Sequence, residues 1–226
     1  MWHMLKSTEK ITVLYLKGFT FIFLLFSSSC QKEFLEEIIV YSNNFATNDL
    51  RNIQTNIGIE EYNNENVLGF FHNESFSLRL RDLPRHNTVR ITIDLFIHDS
   101  WDGNSQGQDG PDGWKMLVDN RLIVNTTFSN SACEPAYCLY QSFPENGLRQ
   151  FEPKTGAVIT NLPGRCQYAG VSGWTTKYRI SHLVPHSNST LFVECLDELM
   201  QTNVFNPKCD ESWSVSKIEV SLLDMG

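Results

Sequence analysis

No stretch of this 226-residue chain stays apolar long enough to cross a bilayer as a helix. The longest apolar run, Gly18-Phe-Thr-Phe-Ile-Phe-Leu-Leu-Phe26, falls far short of the roughly 20 residues a spanning helix needs. There is no Cys-x-x-Cys pair, which removes the usual framework of a structural zinc site or a thioredoxin-like redox motif. No Gly-x-Ser-x-Gly is present either. Gly170-Val-Ser-Gly-Trp174 is one residue short of it, so the nucleophile elbow of a serine hydrolase is not encoded. Positive charge is scarce, with 18 Lys and Arg against 26 Asp and Glu for a formal net charge of −8. Such a balance argues against nucleic acid and anionic lipid as partners and is compatible with calcium. Internal repeats and low-complexity tracts are missing, and only the short segment 194–201 has a helical pattern.

The amino-terminal segment has the order of a processing signal: Lys6, Lys10 and Lys17, then the short apolar run, then Ser27-Ser-Ser-Cys30. Small residues ending at a cysteine resemble a bacterial lipoprotein signal, in which the cysteine is acylated and becomes the mature terminus. Ser27 stands where Leu is usual in that pattern. Gln31-Lys32-Glu33 resembles the Lys-acidic signal that sends some Bacteroidetes lipoproteins to the cell surface. The resemblance implies a signal peptide over 1–29, lipidation at Cys30, and a lipid-anchored, surface-exposed place on the outer membrane, with the anchor as the sole membrane contact. A cleaved secretory peptide with an ordinary Cys30 is the other reading. Removing 1–29, three lysines against Glu9, makes the remainder more acidic still.

Beyond this, residues 30–65 are acidic, Asn-rich and weakly patterned, which predicts a tether with a possible first edge strand near Ile38-Ile-Val40; a helical turn at 33–40 fits equally well. The pattern then becomes β. Phe76-Ser-Leu-Arg-Leu80 alternates, and Val89, Ile91, Ile93, Leu95 and Ile97 place five branched aliphatics on one face. Arg90, Thr92, Asp94 and Phe96 face the other way, so the strand covers a core on one side, as in an antiparallel sheet. Asp119-Asn120 is a two-residue hairpin signal between Leu117-Val118 and Leu122-Ile-Val124. Further strands are expected near 157–159, 174–180, 190–194 and 216–222. The fold class is all-β, an antiparallel jelly-roll β-sandwich over 66–226.

Between two of these strands lies Asp99-Ser-Trp-Asp-Gly-Asn104, continuing through Gly107, Asp109, Gly110, Asp112 and Gly113 to Trp114. Asp99, Asp102, Asn104, Asp109 and Asp112 alternate with glycines that let the backbone fold tightly enough to turn short acidic side chains inward. Calcium takes about six to eight oxygen ligands, and this loop is a candidate to supply them. The opening follows an EF-hand loop, but Gly113 stands where that motif requires a bidentate Glu, so an EF-hand is excluded. A polar surface turn is the plainer reading of the same residues. Structureless connections longer than about 12–15 residues tend to be functional or disordered.

If Cys30 is lipidated, five cysteines remain in an oxidising compartment. Local spacing favours Cys133–Cys138 and then Cys195–Cys209, leaving Cys166 free or re-paired. His182 and His186 flank Pro185, which breaks any helix that would bring them to one face; exposed loop histidines are expected rather than metal ligands. His98 either orients the neighbouring loop or ends a strand. Trp114 and Trp213 are expected to face the core, and Trp101 and Trp174 to be the tryptophans exposed to a sugar ring. Asp94, Asp99, Glu194 and Asp197 are the carboxylates from which a glycosidase would draw a pair roughly 5–10 Å apart. The three sequons at Asn73, Asn125 and Asn188 would matter only in a eukaryotic secretory pathway, which the lipoprotein-like start argues against.

Several motifs together resemble secreted bacterial modules related to laminin-G and concanavalin-like jelly rolls. They are Leu83-Pro84-x-His86-x-x-Val89, Asp94 to Asn104, Gly110-Pro111-Asp112, Val118-Asp119, Thr126 to Asn130, Gln141-Ser142-Phe143-Pro144 and Asp210-Glu211-Ser212-Trp213. The chain departs from the pattern at Ser214-Val-Ser-Lys217, where such modules read Gly-Ile-Asp-Asn, so an acidic partner from the last strand is missing while Asp210 and Glu211 are kept. The segment 131–139 is particular to this chain. The resemblance implies an extracellular adhesion or carbohydrate-binding accessory with no catalytic activity of its own. The expected function is binding of a glycan or a surface protein through a calcium-stabilised sandwich; a glycan-cleaving enzyme on the same fold and a structural subunit of an envelope assembly are the alternatives.

Overall fold

The computed structural model describes residues 34–225 except 108, 148 and 203. The signal peptide expected over 1–29 and the acylated Cys30 lie outside the described residues. The described residues fold as a jelly-roll sandwich of two antiparallel sheets. One sheet runs in the order β3 (Ile59–Tyr62), β4 (Glu65–Phe71), β12 (Glu211–Met225), β6 (Thr88–Asp99), β10 (Ser172–Pro185) and β9 (Ile159–Pro163), with β1 (Phe34–Asn43) also paired to β12. The facing sheet runs β2 (Ile53–Thr55), β5 (Ser75–Leu80), β11 (Leu191–Glu198), β7 (Gly113–Val118) and β8 (Arg121–Thr127). One helical turn, α1 (Pro207–Asp210), precedes the last strand; Asn206 caps it by accepting from the Cys209 N–H.

The period-two pattern decides which way each sheet faces. Val89, Ile91, Ile93, Leu95 and Ile97 of β6 are all fully buried, and Ile93 stands in register between Ile180 of β10 and Ile218 of β12. Phe76, Leu78, Val193, Cys195, Trp114 and Met116 meet them from the facing sheet. Each large apolar side chain so buried contributes roughly 1.5–3 kcal/mol. Trp114 and Trp213 face inward, as their strand-end positions predict, and pack edge to face with ring centroids 6.0 Å apart.

Several expectations change. The first edge strand expected near Ile38-Ile-Val40 is β1, extended rather than helical from Phe34 on, and β2 and β3 add further strands in the segment expected to be a tether. The segment from Glu194 is also strand, since β11 continues to Glu198 in register with β7. The outer face of β6 is not wet along its whole length. Tyr62 and Val67 cover Phe96, Phe70 packs against them, and the Tyr62 hydroxyl donates to the Pro163 carbonyl at 2.5 Å. The close approach of β4 to β12 needs Gly69, whose φ is +153° and where a Cβ would sit 2.5 Å from that of Ser214.

The disulfides are Cys133–Cys138, as local spacing suggests, and Cys166–Cys209, which replaces the expected Cys195–Cys209 bond. Cys195 points into the core between Phe76 and Met116 and is a buried thiol, pushed up by desolvation. Cys209 lies outside the sheets on α1, and the Gln167 N–H donates to its carbonyl, which brings Cys166 alongside. The ends of β6 and β11 and the starts of β7 and β12 meet at one end of the sandwich, through the register pairs Glu211 with Asp99 and Glu198 with Gly113. The acidic loop is held there.

Candidate functional site: an acidic cluster at the loop end

β6 terminates at Asp99, which adopts a positive φ of 62° and turns the chain out of the sheet. Its carboxylate accepts from the Cys166 and Tyr168 N–H groups, each at 3.1 Å, with the Arg165 guanidinium nearby. Burial raises its pKa, while these donors pull it down. Asp99 is therefore the anchor of the 164–170 loop, and both its oxygens are engaged. Asn104 is engaged too: its carbonyl oxygen accepts from the Thr127 hydroxyl and its amide donates to the Arg149 carbonyl, both at 2.6 Å. Two of the five expected oxygen donors thus build the loop. Gly103 between them is obligatory, with φ +64° and the Tyr140 carbonyl oxygen 2.3 Å from where a Cβ would stand.

The other three converge with groups from elsewhere. Asp112 is fully buried; one carboxylate oxygen accepts from the Asp102 N–H and the other, Oδ1, has no partner. Glu211, at the start of β12, is equally buried; Oε1 accepts from the Gln201 amide and Oε2 has no partner. Asp109 Oδ1 and Gln201 Oε1 are buried and unpartnered as well. Asp210 completes the group, accepting from the Ser100 hydroxyl at 2.6 Å. Native interiors leave few polar atoms unpaired, which sets these four oxygens apart.

The electrostatics point the same way. Desolvation, with Asp112 beside it, pushes Glu211 up to about 11. Asp112 is raised well above the carboxylate range by burial and the neighbouring Asp102. Desolvation, Asp109 and Asp210 bring Asp102 to about 7. Asp210 is also raised, by burial and Asp109, against the Ser100 hydrogen bond, which lowers it. The donor set is oxygen throughout, the chemistry that suits a hard divalent cation. Among the described residues no group of three or more His, Cys, Asp or Glu is placed so as to hold a metal ion.

Of the tryptophans expected to be exposed, Trp101 is fully buried. Its indole N–H donates to the Ser212 carbonyl at 3.0 Å and its ring packs against Phe128, so it pins the loop to the core and offers no face to a ligand. Trp174 is half-buried and lies flat on Tyr168, centroids 3.7 Å apart and planes 8° apart. Burial, and then Asp210, Asp102 and Asp99, raise the pKa of the Tyr168 hydroxyl, which puts this aromatic pair at the rim of the acidic cluster.

Sequence reading missed Tyr168 and Gln201, and no local signal marks either. Asp210 and Glu211 were visible only as part of a terminal motif. The carboxylates weighed for catalysis have other duties: Asp94 is bidentate to Arg179 at 2.7 and 2.8 Å, and Asp197 accepts from the Asn73 and Glu74 N–H groups. His98 is buried against Thr175 and Ser214, held neutral by desolvation, one residue before β6 ends. His182 and His186 are not exposed loop residues: His182 is half-buried on β10 and His186 is buried against His86, because β10 continues to Pro185.

No protein-family description matches this chain, and no curated protein does. Solved structures are similar at the level of the sandwich. PorU from Porphyromonas gingivalis is 12% identical with a TM-score of 0.42, over 87% of this chain and 14% of its own, so the chain spans a small part of that protein. A family 35 carbohydrate-binding module from Clostridium thermocellum is 8% identical with a TM-score of 0.34, over 82% of this chain and 98% of the module. The module TmCBM27, described for specific mannan recognition, is 8% identical with a TM-score of 0.40, over 83% and 99%. At these identities and TM-scores the likeness carries no argument about this chain.

Proposed function

We propose that the chain is a non-catalytic binding module of a lipid-anchored envelope protein, in which a calcium ion orders the acidic loop end and the adjoining Tyr168–Trp174 pair contacts a glycan. The observation that carries this reading is the pair of fully buried, unpartnered carboxylate oxygens on Asp112 and Glu211. Asp102, Asp109, Asp112, Asp210, Glu211 and the Gln201 carbonyl would hold the cation. Bound there, calcium supplies the positive charge that lets all five carboxylates ionise side by side. Asp99 and Asn104 act one layer out, by fixing the loop backbone.

Ordering the loop in this way also orders the aromatic rim, because Asp99 fixes Tyr168 through its backbone N–H. A flat ring pair can pack on the apolar face of a sugar and leave its hydroxyls wet. Anchoring through Cys30, on the outer membrane and facing outward, belongs to the same proposal.

The test is thermal unfolding of the protein in excess EDTA, then in calcium, with magnesium as control, followed by glycan-array binding with and without calcium. A ligand that binds only the native state adds roughly 2.7 kcal/mol at 100 times its dissociation constant, so a rise in midpoint specific to calcium is expected. Identical unfolding in EDTA and calcium would remove the metal from this reading; array binding indifferent to Trp174→Ala would remove the aromatic rim.

A further inference from the structure

At the opposite end of the sandwich, two connections between the sheets and one hairpin of the smaller sheet meet at two buried histidines. His86 lies in the turn between β5 and β6, His186 in the loop between β10 and β11, and Asp119 in the β7–β8 hairpin. His86 Nε2 and His186 Nδ1 are 2.7 Å apart. The ring planes differ by only 14° and the centroids are 5.0 Å apart, so the imidazoles meet head to head along one N···N line. The outer nitrogens both face acceptors. His86 Nδ1 is 2.6 Å from the Pro84 carbonyl. His186 Nε2 is 3.1 Å from the Thr190 carbonyl and 3.2 Å from Asp119 Oδ2.

Carbonyls and carboxylates only accept, so each outer nitrogen must carry a proton. The inner contact needs one more, because two lone pairs opposed at this distance repel. Two neutral imidazoles own two ring protons between them, and this arrangement requires three. We propose that His86 and His186 form an imidazole–imidazolium pair that holds one extra proton, with the Asp119 carboxylate as its counter-charge, and that this proton clasps the two sheets together at the end away from the acidic loop.

The surroundings suit such a clasp. The His186 N–H donates to the Asn87 carbonyl, the Leu83 N–H to the Ser189 carbonyl, and the Asn87 N–H to the Leu223 carbonyl, so the backbone already ties these turns. Asp119 is positioned independently, since its Oδ1 accepts from the Phe192 N–H at 3.0 Å. Charged groups nearby include Asp82 and Arg85 in the turn of His86, Arg121 beside the hairpin of Asp119, Arg79, which lines the same cavity as Asp119 and lies over the Phe192 ring, and Asp224, which accepts from the Asn87 side chain. His182, half-buried on β10, has the opposite tendency, because its burial disfavours the charged form. The clasp therefore stabilises the fold while the shared proton is present and loosens as pH rises and the proton leaves.

Two measurements on the full chain test this. Ring nitrogen–proton NMR correlations near neutral pH are expected to show three protons on the His86–His186 pair; two in total would overturn the proposal. A double-mutant cycle on the unfolding equilibrium, with His86→Gln, His186→Gln and both, isolates the pair from His182. The coupling is expected to be about tenfold larger in the unfolding constant at about pH 6 than at about pH 9. Equal coupling at the two values, or larger coupling at the higher one, would also overturn it. If the variants do not fold, the proton count on the native chain still decides.

Discussion

Glu211 has one carboxylate oxygen on Gln201 and another that no donor reaches, beside Asp112, whose Oδ1 is in the same condition. Two such neighbours cannot both ionise cheaply in a low-dielectric interior. Glu211→Gln should therefore act in opposite directions under two conditions. In EDTA it relieves repulsion, and a gain of about 1 kcal/mol would raise the midpoint by roughly 2–4 °C. In calcium it should abolish the metal-dependent rise. A variant that keeps the full calcium shift would place the cation elsewhere. Asp99→Ala makes the contrast, because its carboxylate serves two backbone N–H groups. It should cost about 1–3 kcal/mol with or without calcium, read by denaturant unfolding. Loss confined to the calcium-loaded protein would make Asp99 a direct ligand after all. Trp174→Ala should weaken glycan binding about tenfold by titration calorimetry, roughly the value of one aromatic contact and its area, while sparing the calcium shift.

The loop end is assembled from separate segments, and the Cys166–Cys209 disulfide joins two of them. Cys166 opens the stretch that Asp99 anchors and Tyr168 occupies, and Cys209 directly precedes Asp210 and Glu211. Cutting this bond with Cys166→Ser and Cys209→Ser should lower stability by about 2–4 kcal/mol and weaken calcium affinity as well, since donors on β12 and the rim loop lose their mutual constraint. Removing Cys133–Cys138, which closes a five-residue separation in an exposed loop, should leave calcium affinity unchanged. Isothermal titration with calcium separates the two cases. Equal affinity in both variants would show that β6–β12 pairing alone holds the site.

Taken across the protein, the cluster predicts an unusual dependence of stability on pH. A carboxyl group raised in the folded state favours folding at low pH, and it opposes folding as pH climbs from the ordinary carboxylate range to the raised value. For Asp102 that interval runs from about 4 to about 7. Asp112 and Glu211 extend it upward. In EDTA the protein should thus lose stability between about pH 4 and pH 7, where most proteins gain it. Calcium should flatten or reverse that slope, because cation binding requires the ionised carboxylates. A metal-free profile without this decline, followed by thermal melts across the range, would show that the cluster is relaxed by water or local movement.

The alternation in β6, the hairpin signal at Asp119-Asn120 and the oxygen-rich loop are all local, and each was legible as written. Periodicity reports on neighbours along one chain, so it yields the sandwich, the inward face of β6 and the tryptophans at strand ends. The loop's composition likewise announces oxygen chemistry. The membership of the site is another matter. Asp99 and Asn104 look like ligands beside Asp102 and Asp112, yet their oxygens are taken by Cys166, Tyr168 and Thr127, residues distant in sequence. Gln201, Asp210 and Glu211 enter because β12 pairs antiparallel with β6 and sets Glu211 opposite Asp99. The partner of Cys209, the burial of Trp101 and the meeting of His86 with His186 follow from the same crossings between sheets. Composition and spacing determine which chemical groups are available; register and burial determine which of them still have an unpaired atom to offer once the backbone has taken its share.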